Sequence, residues 1–414
     1  MMAGDIRDML FRTALAAADA GAACLRYLPR PPRGRTVVVG AGKAAAAMAA
    51  AVDAAWTGEL SGLVVTRHGH GLAAGRIRVI EAGHPLPDAA GPEAAAEILR
   101  LVDGLGPEDL VLALISGGGS ALLSLPAPGL SLADKQAVTR ALLRAGAPID
   151  RINVVRKHLS AIKGGRLALA AWPAQVVALL VSDVPGDDPA VIASGPTLPD
   201  PSTLADARAV LDACGIVPPP AVRRHLEAPE SETPKPGDPR LACQRASVIL
   251  RPAEVLAAAV AVARGQGWRV INLGDRVEGE ARVVAAEHAR LALAERGKGR
   301  TVILSGGELT VTIAGADGGG GPGKEYLLAL ALALDGMPGI TALACDTDGI
   351  DGSSNDAGAC IDPTTLARAK ALGLDAAACL AGNDSARFFA TLGDLVMTGP
   401  TRTNVNDFRV LAVT

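Results

Sequence analysis

Thr36-Val37-Val38-Val39-Gly40-Ala41-Gly42-Lys43-Ala44-Ala45-Ala46-Ala47 is the stretch on which the fold turns. A β-branched run leads into a glycine turn and then into alanine-rich chain, the order strand, turn, helix. Glycines at such a turn let backbone N–H groups point at an anion, and the start of the helix adds partial positive charge. Lys43 sets a compact ammonium beside Gly42, able to reach a phosphate oxygen. The spacing Gly40-x-Gly42-x-x-Ala45 also meets the loose dinucleotide fingerprint. That reading wants an acid at the end of the next strand, where the chain has Thr66-Arg67-His68. NAD is therefore disfavoured, although Arg67 would tolerate NADP, and the P-loop pattern GxxxxGK[ST] is absent. A glycine turn that merely lets helix and strand pack closely would account for the same residues.

The same order recurs outward from this stretch. Short apolar runs at 36–39, 63–66, 110–115, 176–181, 247–250, 269–273, 301–304 and 340–344 alternate with helical patterns at 6–25, 44–56, 91–103, 132–145, 204–214, 252–265, 279–295, 325–334 and 363–372. Buried runs alternating with helices predict an α/β fold of two Rossmann-like domains with mostly parallel sheets. Ligands in such sheets gather at loops beyond the carboxyl ends of the strands. The proline-dense segment 218–239 reads as a linker, which divides the chain into 1–235 and 236–414, with the active site expected in the cleft between.

Composition narrows the function. Of the 414 residues 49% are hydrophobic and 20% charged, as in a packed globular protein, but only 2% are aromatic, so Ala, Val and Leu must fill the core. A net charge of −3 with no basic run argues against nucleic acid as partner. Six scattered cysteines without a CxxC pair fit neither a disulfide framework nor a cysteine zinc site. With no apolar signal segment at 1–12 and no long apolar span, the expectation is a cytoplasmic protein away from membranes.

The remaining motifs sit at strand ends. Ser116-Gly117-Gly118-Gly119-Ser120 offers backbone donors and two hydroxyls to a phosphate; GxSxG is not met, so a serine-hydrolase elbow is disfavoured. Ser305-Gly306-Gly307-Glu308 repeats the pattern with a carboxylate. Lysine is scarce, 8 against 32 arginines, and Lys43, Lys163 and Lys324 all lie beside glycines. Arg156 and Lys163 fall on one face if their segment is helical, a pair suited to a carboxylate or a transferring phosphate. Asp183, Asp187 and Asp188, and Asp346, Asp348 and Asp351, follow apolar strands; hard oxygens there suit Mg²⁺ bound with nucleotide phosphates, or simply cap helices. His68, His70 and His84 match no zinc spacing.

Together these motifs resemble the class II glycerate kinases, the family with a MOFRL-type C-terminal domain. The likeness runs through Val38–Ala44, Glu81-Ala82-Gly83-His84-Pro85, Ile115–Ala121, Val155-Arg156-Lys157-His158-Leu159-Ser160, Ser182–Asp187, Ser194-Gly195-Pro196-Thr197, Glu232-Thr233-Pro234-Lys235-Pro236, Leu304–Glu308, Thr347–Gly352 and Thr398-Gly399-Pro400-Thr401 with Asn404-Val405-Asn406-Asp407. The resemblance implies ATP- and Mg²⁺-dependent phosphorylation of the 2-hydroxyl of D-glycerate, with the family's important lysine at Lys43. One departure stands out: Pro322 occupies the place of a functional arginine in Gly320-Gly321-Pro322-Gly323-Lys324-Glu325, and Lys324 would supply the missing charge. Under this reading Lys43, Asp183 and Asp187 are catalytic. Gly40, Gly42, Ser116, Gly117, Gly118, Gly119, Ser120, Arg156, Lys163, Ser305, Gly306, Gly307, Glu308 and Lys324 bind substrate or nucleotide, and Asp183, Asp187 and Asp348 hold the metal. The alternative is an NAD(P)H-dependent hydroxypyruvate reductase. Partners are glycerate and ATP, and a homodimer is left open.

Overall fold

In the computed structural model, which describes residues 5–313 and 319–414, the apolar runs assemble into two six-stranded sheets. The first contains β1 (Thr36–Ala41), β2 (Leu60–Arg67), β3 (Ile77–Ala82), β4 (Leu110–Ile115), β5 (Gln175–Val181) and β6 (Gln244–Leu250). Their order is β3-β2-β1-β4-β5-β6, and every pairing is parallel. All residues of β1 and β4 are buried, as expected for strands covered on both faces. Gly40 lies inside β1, where a Cβ would stand 2.1 Å from the Leu114 carbonyl oxygen, so this glycine serves close strand packing.

The strand order reverses between β1 and β4, which is where doubly wound sheets open a crevice. The register pairs Ala41 with Ile115 and Ile115 with Leu180, so the turns after β1, β4 and β5 end level with one another. Beside this sheet the helices Leu132–Arg144, Ile149–His158, Leu204–Ala213 and Pro220–Glu227 build a smaller core from Val138, Leu142, Ile152, Val155, Leu211 and Val222.

The second sheet uses β7 (Arg269–Asn272), β9 (Thr301–Ser305), β11 (Ile340–Asp346), β12 (Gly358–Ile361), β13 (Leu395–Val396) and β14 (Asp407–Val413), in the order β13-β12-β11-β14-β9-β7. A separate two-stranded ladder joins β8 (Gly279–Glu280) to β10 (Leu309–Thr310). The α/β class stands as expected. Parallel pairing, complete in the first sheet, is confined in the second to β7 with β9, because β14 inserts antiparallel between β9 and β11 and β12 runs against β11. The helix Pro322–Leu334 buries Tyr326, Leu327, Leu328 and Leu330 in this unit's core.

The chain divides into Ala20–Leu250 and a unit that joins Met1–Asp19 to Arg251–Thr414. This differs from the expected division at 235/236 for two reasons. β6 is an edge strand of the first sheet, and 218–239 is no free linker: Val222 and Leu226 of the helix Pro220–Glu227 are buried in the small helical core. The helix expected over 6–25 is two helices. Ile6–Ala17 packs on Pro252–Gly265 and β14, whereas Ala20–Leu25 packs on Ala45–Ala55 and β6. No helix among the described residues is long and apolar enough to cross a membrane.

Candidate active site

In the unit Ala20–Leu250 the turn after β1 is locked to the turn after β4. The N–H groups of Gly42, Lys43 and Ala44 donate to the Val65 carbonyl (3.0 Å), the Gly117 carbonyl (2.9 Å) and the Ser116 hydroxyl (3.0 Å). Gly42 has φ 137°, and a Cβ there would lie 2.0 Å from Ser116 Oγ. The first turn therefore has its amides engaged within the protein, and Ser116, fully buried, acts as a strut between turns rather than as a ligand hydroxyl. What this turn contributes outward is the Lys43 side chain.

The second turn is different. The N–H groups of Gly117 and Gly118 meet no acceptor among the described residues. Gly118 has φ 79°, and a Cβ on it would stand 3.0 Å from His84 Nε2 and 3.4 Å from Lys43 Cγ. Two open amides, an ammonium stem and an imidazole thus converge on one glycine, a concavity suited to an anion. His84 thus joins the candidate site, a place that its spacing to other histidines does not show.

From this turn the site extends toward the helical appendage. Gly119 packs where a Cβ would meet Ala193 Cβ at 2.8 Å, and Ser120 Oγ lies 2.7 Å from Ser194 Oγ, which donates to Asn153 Oδ1 at 3.4 Å. Ala193 and Ser194 hold φ of 52° and 61°, sparsely populated for residues with a Cβ and typical of constrained functional turns. Lys163, 2% exposed, reaches the Ala193 carbonyl at 3.4 Å. Burial, with the nearby charges of Lys135 and Arg156, holds the Lys163 ammonium well below its ordinary range.

Lys135, which no glycine turn or motif marks in the sequence, is 8% exposed and donates to the carbonyls of Ser124 (3.1 Å) and Leu125 (3.2 Å). Burial, and then Arg156, bring its pKa down to about 7. A capping box between Ser131 and Asp134 fixes the first turn of the helix that carries it. Arg156 is partly buried and has no hydrogen bond or ion pair with any described residue. The neighbouring acids are engaged elsewhere, Asp200 with Lys157 at 3.4 Å and Glu232 with His158 at 3.0 Å. Asp183 and Asp187 occupy the loop after β5, Asp187 with φ 56°. Among the described residues no three His, Cys, Asp or Glu side chains are grouped closely enough to hold a metal.

In the other unit the expected residues other than Glu308 are engaged within the structure. The Ser305 hydroxyl accepts from buried Arg409 at 3.1 Å, the Gly306 N–H donates to the Gly274 carbonyl at 2.8 Å, and a Cβ on Gly307 would meet the Val277 carbonyl at 2.4 Å. Glu308 is exposed and adds, with Asp351 and Asp348, to the charges around Asp407, whose carboxyl burial raises to about 7 against the pull of Arg409. Asp348 accepts the Ile350 N–H at 2.7 Å, closing its own turn. Lys324 does not stand in for the arginine replaced by Pro322. Its ammonium is fully buried and donates to Asp356 Oδ1 (2.5 Å), the Asp351 carbonyl (2.9 Å) and Ser354 Oγ (3.0 Å).

Comparison with known proteins agrees with this architecture. Residues 7–227 match a domain of unknown function, DUF4147, and residues 301–407 match the MOFRL family. The chain is 40% identical over 389 residues to the D-glycerate 2-kinase of Thermotoga maritima, covering 92% of this chain and 91% of that one. It is 52% identical over 411 residues to an Agrobacterium vitis protein that carries the provisional name hydroxypyruvate reductase, covering 98% and 93%. The crystal structure of a glycerate kinase from Thermotoga maritima superposes with a TM-score of 0.87 at 37% identity, covering 99% of each chain. With both domain matches in the expected order and near-complete coverage of solved and named relatives, the chain belongs to the glycerate 2-kinase family with a MOFRL C-terminal domain.

Proposed function

We propose that this protein is a glycerate 2-kinase, transferring the γ-phosphoryl group of ATP to the 2-hydroxyl of D-glycerate. The observation that carries the reading is the anion-binding turn after β4, where the open amides of Gly117 and Gly118 face the Lys43 stem, next to buried cations that lack carboxylate partners. The glycerate 2-hydroxyl oxygen attacks the γ-phosphorus, the bond from that phosphorus to the β,γ-bridging oxygen breaks, and ADP leaves. The hydroxyl proton passes to a carboxylate, Asp183 or Asp187, at the end of β5. Catalysis of this kind rests on positioning and charge neutralisation. Lys43 and the Gly117–Gly118 amides neutralise the transferring phosphoryl group, and Arg156 or Lys163 takes the glycerate carboxylate. Asp183 or Asp187 would hold a Mg²⁺ ion brought with the nucleotide, and the ion would supply further neutralisation of phosphate charge.

The reductase name borne by the Agrobacterium relatives gives the competing reading. A dinucleotide site needs the amides of the first glycine turn for the pyrophosphate, and here those of Gly42, Lys43 and Ala44 are engaged internally. A paired assay separates the two. ADP release dependent on D-glycerate, with ³¹P NMR showing a 2-phosphate ester, is the expected result. NADPH oxidation with hydroxypyruvate and no ADP release would overturn the kinase reading.

A further inference from the structure

Lys135, Arg156 and Lys163 form a cluster whose charge nothing in the described protein balances. Lys135 and Lys163 are buried, and their ammonium groups touch only backbone carbonyls, those of Ser124, Leu125 and Ala193. The cluster is built rather than incidental. The Leu125 carbonyl that receives Lys135 also accepts from Ser160 Oγ (3.2 Å) and the Ala161 N–H (3.2 Å), and Ser160 Oγ in turn accepts from the Lys163 N–H at 3.3 Å. One hydrogen-bonded strip thus fixes both lysines, while the first turn that bears Lys135 is set by its capping box. Two buried lysines and a partly buried arginine held together without counter-charge are costly, and such a cluster persists where a ligand supplies the missing anions.

A single carboxylate answers only part of this charge. We infer that Lys135 is a third ligand-binding cation and that the cluster is matched to the phosphorylated product, so that 2-phosphoglycerate is held more tightly than glycerate. This rests on the kinase reading for the identity of the ligands. The product keeps the carboxylate and adds a phosphate on the adjacent carbon, so the extra negative charge falls within a few ångströms of the same cations. In a partly desolvated site that difference corresponds to a factor of about ten or more in Kd. The consequence is an enzyme restrained by its own product.

Isothermal titration of the full chain with 2-phosphoglycerate and with D-glycerate, without nucleotide, tests this directly. The expected result is a product Kd at least about tenfold below that of D-glycerate. Lys135→Met should remove most of that ratio while weakening D-glycerate less. Equal Kd values in the unmodified protein, or an unchanged ratio in a folded Lys135→Met variant, would overturn the inference. Should that variant not fold, steady-state inhibition of the unmodified enzyme decides: 2-phosphoglycerate should compete with glycerate at a Ki well below the glycerate KM, and a Ki at or above KM refutes it. Titration requires no turnover. A chain that preferred 2-phosphoglycerate yet made no ADP would retain this inference and lose the kinase reading.

Discussion

Lys43 is the residue on which the chemistry is most exposed to test. Its backbone is held by the Gly117 carbonyl and its stem lies against Gly118, so Lys43→Ala removes charge without disturbing the turn. A fall in kcat on the order of 10²–10³, far larger than the effect on folding seen as melting temperature, is expected from activity assays and calorimetry. Lys135 yields a stability prediction with a definite sign. Its folded pKa of about 7 lies below the ordinary lysine value of 10.5, so above pH 7 the unfolded chain binds more protons than the folded one. Stability of the ligand-free protein therefore rises between pH 7 and 9, by about 2 kcal/mol from Lys135 with a contribution of the same sign from buried Lys163, and Lys135→Met reduces that rise without abolishing it. Above pH 9 buried Cys24, with its thiol pushed up to about 12 by burial, acts in the opposite direction. Denaturant melts of both proteins across this range are the check. Lys43 was legible in the sequence because a strand and a glycine turn place it. Lys135 was not, since it reaches the site from a helix whose local pattern says nothing of its neighbours in space, and His84 showed only as part of the motif Glu81–Pro85 with no role attached.

At the scale of elements, the start of the helix Pro322–Leu334 shows what happens where the family arginine is absent. Pro322 takes the first helical position, where no N–H is needed. The carboxylate of Asp351 caps the next amides, accepting from Gly323 N–H (3.0 Å) and Lys324 N–H (2.8 Å), and the Lys324 ammonium lies 3.0 Å from Asp351 and 2.5 Å from Asp356. Lys324→Met would leave two buried carboxylates without their cation, and a loss of about 3–5 kcal/mol in unfolding free energy is expected from denaturant titration. A stability change under 1 kcal/mol would mean that the lysine is not the keystone of this cap. The glycine-flanked lysine looked like a phosphate ligand because sequence spacing shows the turn and hides the acids folded over it. Five of the six parallel strands of the first sheet were legible from their continuous apolar runs; β3, where Arg78 and Glu81 break the run, escaped that reading. β14 was not, because Asp407 and Arg409 interrupt its apolar pattern and its burial comes from the strands on either side.

For the whole molecule, proline content suggested one boundary and packing chose another. Arg7 donates to the carbonyls of Ala342 (3.0 Å) and Ile361 (2.6 Å), Thr403 Oγ1 donates to the Ala18 carbonyl (2.6 Å), and Phe11 and Phe408 stack with ring centroids 5.9 Å apart. Such contacts across hundreds of residues cannot be read from local pattern. They predict that residues 251–414 expressed alone give a poorly folded product, and that adding a peptide of residues 1–19 restores a cooperative melt by circular dichroism. An equally sharp melt without the peptide would show the opening segment to be dispensable.

That returning segment also orders events during synthesis. Residues 20–250 hold every strand of their own sheet and can close as they leave the ribosome, whereas the helix Ile6–Ala17 emerges before them and must wait for Pro252–Gly265 and β14 on their far side. Its apolar face, Leu10, Phe11 and Ala14, stays uncovered until more than two hundred further residues have been made, which marks this helix as a segment in need of a chaperone.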